Sequence, residues 1–156
     1  MIALLRKLYG WLIAVGNALR SPVLLAIRLF WGWQFFVAGK GKLADLAKPT
    51  QYFESLGIPF PHAQAILAAS AECVGGLLLL IGLASRLISV PLMILLTIAY
   101  CTADIDRVRA IFSDPDKFVT ADEFLFLFAV AIVFVCGPGA LSLDAVLARY
   151  FKRNDR

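Results

Sequence analysis

Apolar residues run along this chain in long blocks with helical spacing, separated by short polar stretches. Ile2 to Arg20 carries Leu4, Leu5, Leu8, Trp11, Leu12, Val15 and Leu19 at offsets of three and four, with Arg6, Lys7, Asn17 and Arg20 elsewhere on the wheel. This predicts an amphipathic helix lying in the membrane interface. Arg20 follows the apolar part and no small-residue cleavage site appears, which disfavours a signal peptide. Ser21-Pro22 then opens a first span over 22–39, proline being tolerated in a first turn. A polar connection with Lys40, Lys42 and Lys48 leads through Gly57-Ile58-Pro59-Phe60-Pro61 to a second span over 63–83. Gly82 to Arg86 reads as a tight turn, and a third span covers 87–103 with Pro91 early in it. Asp104 to Thr120 is charged and polar. Thr120 and Glu123 have capping-box spacing and start a fourth span over 121–137, short for a crossing. Gly137-Pro138-Gly139 stops it. Ser142 then caps a last amphipathic helix with Leu143, Val146, Leu147, Tyr150 and Phe151 on one face.

Composition agrees with that pattern. Of the 156 residues, 61% are hydrophobic and 17% charged, against about 45–50% and 25% in a soluble domain. The predicted architecture is all-α: one domain, 1–156, forming an integral membrane four-helix bundle flanked by interfacial helices. The net charge of +4 comes from basic residues gathered near segment ends, so they read as topology signals rather than a nucleic-acid surface. Four spans put both termini on one side, with Arg6, Lys7, Arg20, Arg86, Arg149, Lys152, Arg153 and Arg156. The other side has Lys40, Lys42, Lys48, Arg107, Arg109 and Lys117. That excess predicts both termini in the cytoplasm of a multi-pass inner-membrane protein.

Two charges fall inside spans. Glu72 sits near the centre of the second, on the face of Ala65, Ala68, Ala69, Gly75 and Gly76, where small residues admit a neighbouring helix. Arg28 lies in the first, on the face of Leu24, Leu25, Trp31, Gly32 and Phe35. A lone carboxyl in lipid costs about 2.5–3.5 kcal/mol on insertion scales, so Glu72 needs a partner. Arg28 lies roughly 10 Å, and Glu72 roughly 16 Å, from the cytoplasmic ends of their spans at 1.5 Å per residue. The difference is within an arginine's reach, so an Arg28–Glu72 pair is expected. It would either lock the helices or floor a site for a small ligand or proton relay, unless the two fail to meet. A quinone ring could stack on Trp31 and Phe35, with ordinary bundle packing as the alternative.

Other chemistry is sparse. Cys73, Cys101 and Cys136 fall in different spans at different depths, with no CxxC pair, and read as small buried hydrophobes. His62, the one histidine, reads as solvated or capping, and a bis-histidine haem site cannot be assembled from this chain alone. Asp104, Asp106, Asp114 and Asp116 match no calcium-loop spacing. No metal site and no intrinsic cofactor are expected.

Several segments taken in order resemble the DoxX family of small membrane proteins. They are Arg28, GWQFFVAGKGK from Gly32 to Lys42, Gly57-Ile58-Pro59, Glu72 with Gly75-Gly76 and the leucines after it, Gly82-Leu83, Arg86, and GPGALSLD from Gly137 to Asp144. The resemblance implies a four-helix membrane bundle with the first-helix arginine and second-helix glutamate as its polar pair. It also implies links to terminal quinol oxidase, to thiosulfate-dependent quinone reduction and to membrane redox complexes handling oxidative or thiol stress.

The leading expectation is an accessory subunit of a membrane redox system with a quinone or small-ligand pocket. Arg28 would polarise a carbonyl oxygen, Glu72 would pass a proton, and Trp31, Gly32 and Phe35 would line the site. Any enzymatic activity would be that of an oxidoreductase subunit acting on quinone. The expected partners are the lipid bilayer and a protein of that complex, and a homo-oligomer is compatible. The rival readings are a non-catalytic scaffold and a solute- or metal-handling protein using the acidic outer loop.

Overall fold

The computed structural model describes residues 2–154 and is all-α over them. Helix α1 runs Ile2–Ala44, α2 Ala47–Ser55, α3 Pro61–Ile81, α4 Ser85–Ala103, α5 Ile105–Arg109, α6 Pro115–Val119, α7 Asp122–Cys136 and α8 Leu143–Asn154. A 3₁₀ turn at Ala110–Phe112 joins α5 to α6. Helices α1, α3 and α4 are long and apolar enough to cross a membrane. The 15 residues of α7 extend about 22 Å at 1.5 Å per residue, short of a hydrocarbon core of about 30 Å. Around the bundle α1 packs on α3, α3 on α4, α4 on α7, and α7 back on α1. Phe35, Leu79, Leu92, Leu96, Val130 and Val133 form its core. Large apolar residues also cover its outside, including Phe30, Trp33, Leu67, Val74, Ile94 and Phe128. That is the surface of a protein whose solvent is lipid.

The closest contact is between α1 and α3. A Cβ on Gly32 would meet the Leu80 nitrogen at 2.9 Å and the Gly76 carbonyl at 3.0 Å, and one on Gly39 would strike the backbone of Ala69 and Cys73. The two backbones therefore touch at points seven residues apart on each helix, and these contacts fix the antiparallel register.

Four expectations need correction. The interfacial helix and the first span are one helix of 43 residues, with Pro22 inside it. Proline removes a single N–H and the helix continues through it. The polar connection after position 39 is mostly helical too, since α1 runs on to Ala44 and α2 follows. The capping box at Thr120 does not form. Thr120 closes α6, its hydroxyl donating to the Asp116 carbonyl at 2.7 Å, and Ala121 takes the N-cap position of α7. The polar 104–120 stretch holds α5, the 3₁₀ turn and α6, with Asp104 paired to Arg107 at 3.1 Å and Asp114 capping α6. Ser142 does accept from the Ala145 N–H at 3.1 Å in the first turn of α8. Arg156, counted with the basic residues of the terminal end, lies outside the described residues.

Candidate functional site

Arg28 and Glu72 sit at opposite ends of the α1–α3 contact. Arg28 is 1% exposed and points at the α3–α4 turn, where Gly82 caps α3 with φ 70°. A side chain on Gly82 would be strained at that φ and would also collide with the guanidinium. Arg28 Nη2 donates to the Leu141 carbonyl, in the loop before α8. From the first turn of α8 the Asp144 carboxylate accepts from the Ala84 N–H at 2.7 Å and the Ser85 N–H at 3.0 Å. Asp144 also donates its own N–H to the Gly82 carbonyl at 2.9 Å. Ala84 has φ 48° and no capping side chain, so Asp144 supplies from a distance the acceptor that the start of α4 lacks. Arg28, Gly82 and Asp144 thus bind α1, the α3–α4 turn and α8 together.

Glu72 is held elsewhere. Lys42 Nζ lies 2.6 Å from one carboxylate oxygen of Glu72 and 2.8 Å from the other. The Glu72 side chain is 9% exposed and that of Lys42 44%. Lys42 stands three residues beyond Gly39, and Glu72 is next to Cys73, the residue whose backbone Gly39 touches. The crossing that glycine permits is therefore what brings ammonium to carboxylate.

The expected Arg28–Glu72 pair is not formed. Counting depth from the span ends set Arg28 about four residues short of Glu72. The glycine contacts instead set Glu72 level with Gly39, about eleven residues and 16 Å along α1 from Arg28. No arginine side chain covers that gap. A first span ending at Gly39 leaves Lys42 in the polar connection and hides it as the partner of Glu72. Its signal was visible in the sequence: a lysine three residues after a glycine keeps to the same helix face.

The pair borders a cavity of about 780 Å³. Ala68 and Ala71 of α3 and Ile94, Leu95 and Ile98 of α4 wall it, Tyr52 and Phe53 of α2 line it as well, and Glu123 of α7 contributes a second carboxyl group. It is an apolar cleft with few polar groups and one salt bridge, open to the outside of the bundle where Ile94, Ile98 and Tyr52 stand exposed, and its composition is that of a small-molecule site. Of the residues singled out from sequence, Glu72 lines it. Gly32 is spent on the backbone contact with α3. Trp31 and Phe35 stack edge-on against Phe126 of α7, with centroids 4.8 and 4.6 Å apart. Their rings fill the α1–α7 seam.

His62 meets the Thr50 hydroxyl at 3.3 Å on the exposed surface. Cys73, Cys101 and Cys136 are free thiols, and none is buried as expected: Cys101 is exposed and the other two are half-buried, because each lies on the outer, lipid-facing side of its helix or at its end. Among the described residues no group of three or more His, Cys, Asp or Glu side chains is placed to hold a metal ion.

Residues 23–104 match the DoxX family model. A protein of Bacillus subtilis (strain 168) named "Putative oxidoreductase CatD" is 30% identical over 120 residues, covering 77% of this chain and 83% of that protein. No solved structure matches the chain. The matched stretch contains Arg28, Lys42, Glu72 and Gly82 together with the whole α1–α3 crossing, and the chain belongs to the DoxX family.

Proposed function

We propose that this chain is an accessory subunit of a membrane redox system and receives a quinone-class ligand in the cavity beside Lys42 and Glu72. The observation that carries the reading is the cavity itself: about 780 Å³, apolar along α3 and α4, with a salt bridge at one side. A ring bearing carbonyl oxygens would set one of them against the Lys42 ammonium. The aromatic rings of Tyr52 and Phe53 offer it a flat apolar surface. Glu72, released from Lys42 as the ligand takes over the ammonium, would take up a proton from water and relay it to the reduced oxygen, and would take up and relay the second proton in the same way. Reduction of a quinone to a quinol takes two electrons and two protons. Here the electrons come from the redox group of a partner subunit, and this chain binds, orients and supplies protons. The name carried by the Bacillus subtilis relative supports the oxidoreductase class. The excess of basic residues at the end holding both termini supports a bacterial inner-membrane orientation with that end in the cytoplasm.

The test is saturable binding of a short-chain quinone to purified protein in detergent, followed by tryptophan fluorescence. Glu72→Gln and Lys42→Met should each weaken binding at least about tenfold, which is 1.4 kcal/mol, while the protein still melts cooperatively. A second reading, a non-catalytic scaffold, is favoured by the Arg28–Leu141 and Asp144 interlock, which spends polar groups on holding elements together. It is the correct one if the wild type binds no quinone and the Glu72 variant only melts earlier.

A further inference from the structure

The loop from Gly137 to Ser142 is surrounded by arginines. Arg20 of α1 donates to the Cys136 carbonyl at 2.6 Å, and Arg86 of α4 to the adjacent Val135 carbonyl at 3.3 Å. Arg149 of α8 donates to the Ala140 carbonyl at 3.4 Å, and Arg28 to Leu141. Among the described residues none of the four has a carboxylate within 4.0 Å. The nearby acid, Asp144, already accepts from two backbone N–H groups. The negative end of α7 accounts for part of this convergence, since cations are favoured at helix C-termini by about 0.3–1 kcal/mol each. It does not account for all of it. A guanidinium has five N–H donors, and each carbonyl takes only one.

Arg86 and Asp144 also line a shallow cavity of about 540 Å³ with Leu87, Cys136 and Pro138. Leu87 is 76% exposed and Val135 71%, so the groove has an apolar skirt directly beside its positive rim. It lies where α7 ends and α4 begins, at the edge of the apolar belt. A soluble anion would use the rim and leave the skirt bare. A molecule with a phosphate and acyl chains would use both.

We infer that the groove between Arg86 and the Gly137–Gly139 loop binds the headgroup of an anionic phospholipid, with Arg20 and Arg86 on the phosphate and Leu87 and Val135 along the chains. The site is independent of the quinone reading and lies at the other end of the bundle.

Native mass spectrometry of the detergent-solubilised full chain, mixed with equal amounts of phosphatidylglycerol and phosphatidylcholine, tests it. Phosphatidylglycerol should be retained preferentially. Arg20→Gln and Arg86→Gln should each reduce that preference about fivefold, the worth of one surface arginine toward anionic lipid. Lys40→Gln, at the opposite end, should leave it unchanged. If Arg86→Gln fails to fold, Arg86→Lys should fold and keep most of the preference while Arg20→Gln loses it. Equal retention of the two lipids, or an unaltered preference in Arg20→Gln, overturns the proposal. So does stabilisation by inorganic phosphate equal to that by phosphatidylglycerol, which would mark a site for a free anion.

Discussion

Lys42 grips both carboxylate oxygens of Glu72 from one turn beyond the point where the α1 and α3 backbones touch. The two partners are unequally placed. Lys42 is nearly half exposed and can swing its ammonium outward along its stem, whereas Glu72 is buried and cannot. Removing the lysine should therefore cost more than removing the acid. Lys42→Met should lose about 1–3 kcal/mol, below the 3–5 of a fully buried pair, and Glu72→Gln about 1 or less. Thermal melts of both single variants and the double variant check the order. Equal losses would mean that the carboxylate reaches solvent.

The backbone contact itself makes a sharper prediction. Gly39→Val places carbons inside the Ala69–Cys73 backbone, where no side chain can yield. It should cost about 3 kcal/mol or more and lower the folded yield. Gly41, two residues on, has nothing within 4 Å of a Cβ. Gly41→Ala should leave the protein unharmed or raise its stability by up to about 1 kcal/mol through helix propensity. The pair of variants separates a glycine needed for approach from one that is merely present.

At the other end, Asp144→Ala strips two backbone N–H groups of their acceptor and should cost about 1–2 kcal/mol. Asp144→Asn keeps an oxygen for one of them and should cost less. Arg28→Gln should lower the melting temperature as well but leave quinone affinity unchanged, because Arg28 does not line the cavity. A loss of affinity equal to that of Glu72→Gln would return Arg28 to the site.

Ser142→Ala should cost about 1 kcal/mol by uncapping α8. The loss should be read locally, as faster amide exchange at Ala145 and Val146 with the exchange of α3 unaltered.

What could be read from the chain alone divides by physical cause. The helices were legible because lipid demands long apolar runs, and α3, α4 and α7 lie within two residues of their expected bounds. Membership of the DoxX family was likewise legible, from the order of short motifs. Arg28 and Glu72 were correctly found as the charges buried within the spans, at 1% and 7% exposure. Their partners were not, because pairing depends on register. Register here is set by Gly32, Gly39 and Gly76 meeting backbone to backbone, and single-helix periodicity carries no information about that. Lys42 was missed for one further reason. It works from just outside a predicted span, where a charge looks like solvent-facing punctuation.

The bare crossing of α1 and α3 has a mechanical consequence. Ordinary helix pairs are separated by side chains that can change rotamer and absorb a displacement of an ångström or so. At Gly32 and Gly39 there is no such cushion, so the two helices resist sliding past each other at those points and behave as one strut. Lys42 stands at one tip of that strut and Arg28 near the other. A ligand that displaced the α1 backbone at Lys42 would therefore be felt at the arginine-lined loop at the other end of the bundle, whereas one that only drew out the flexible ammonium would not.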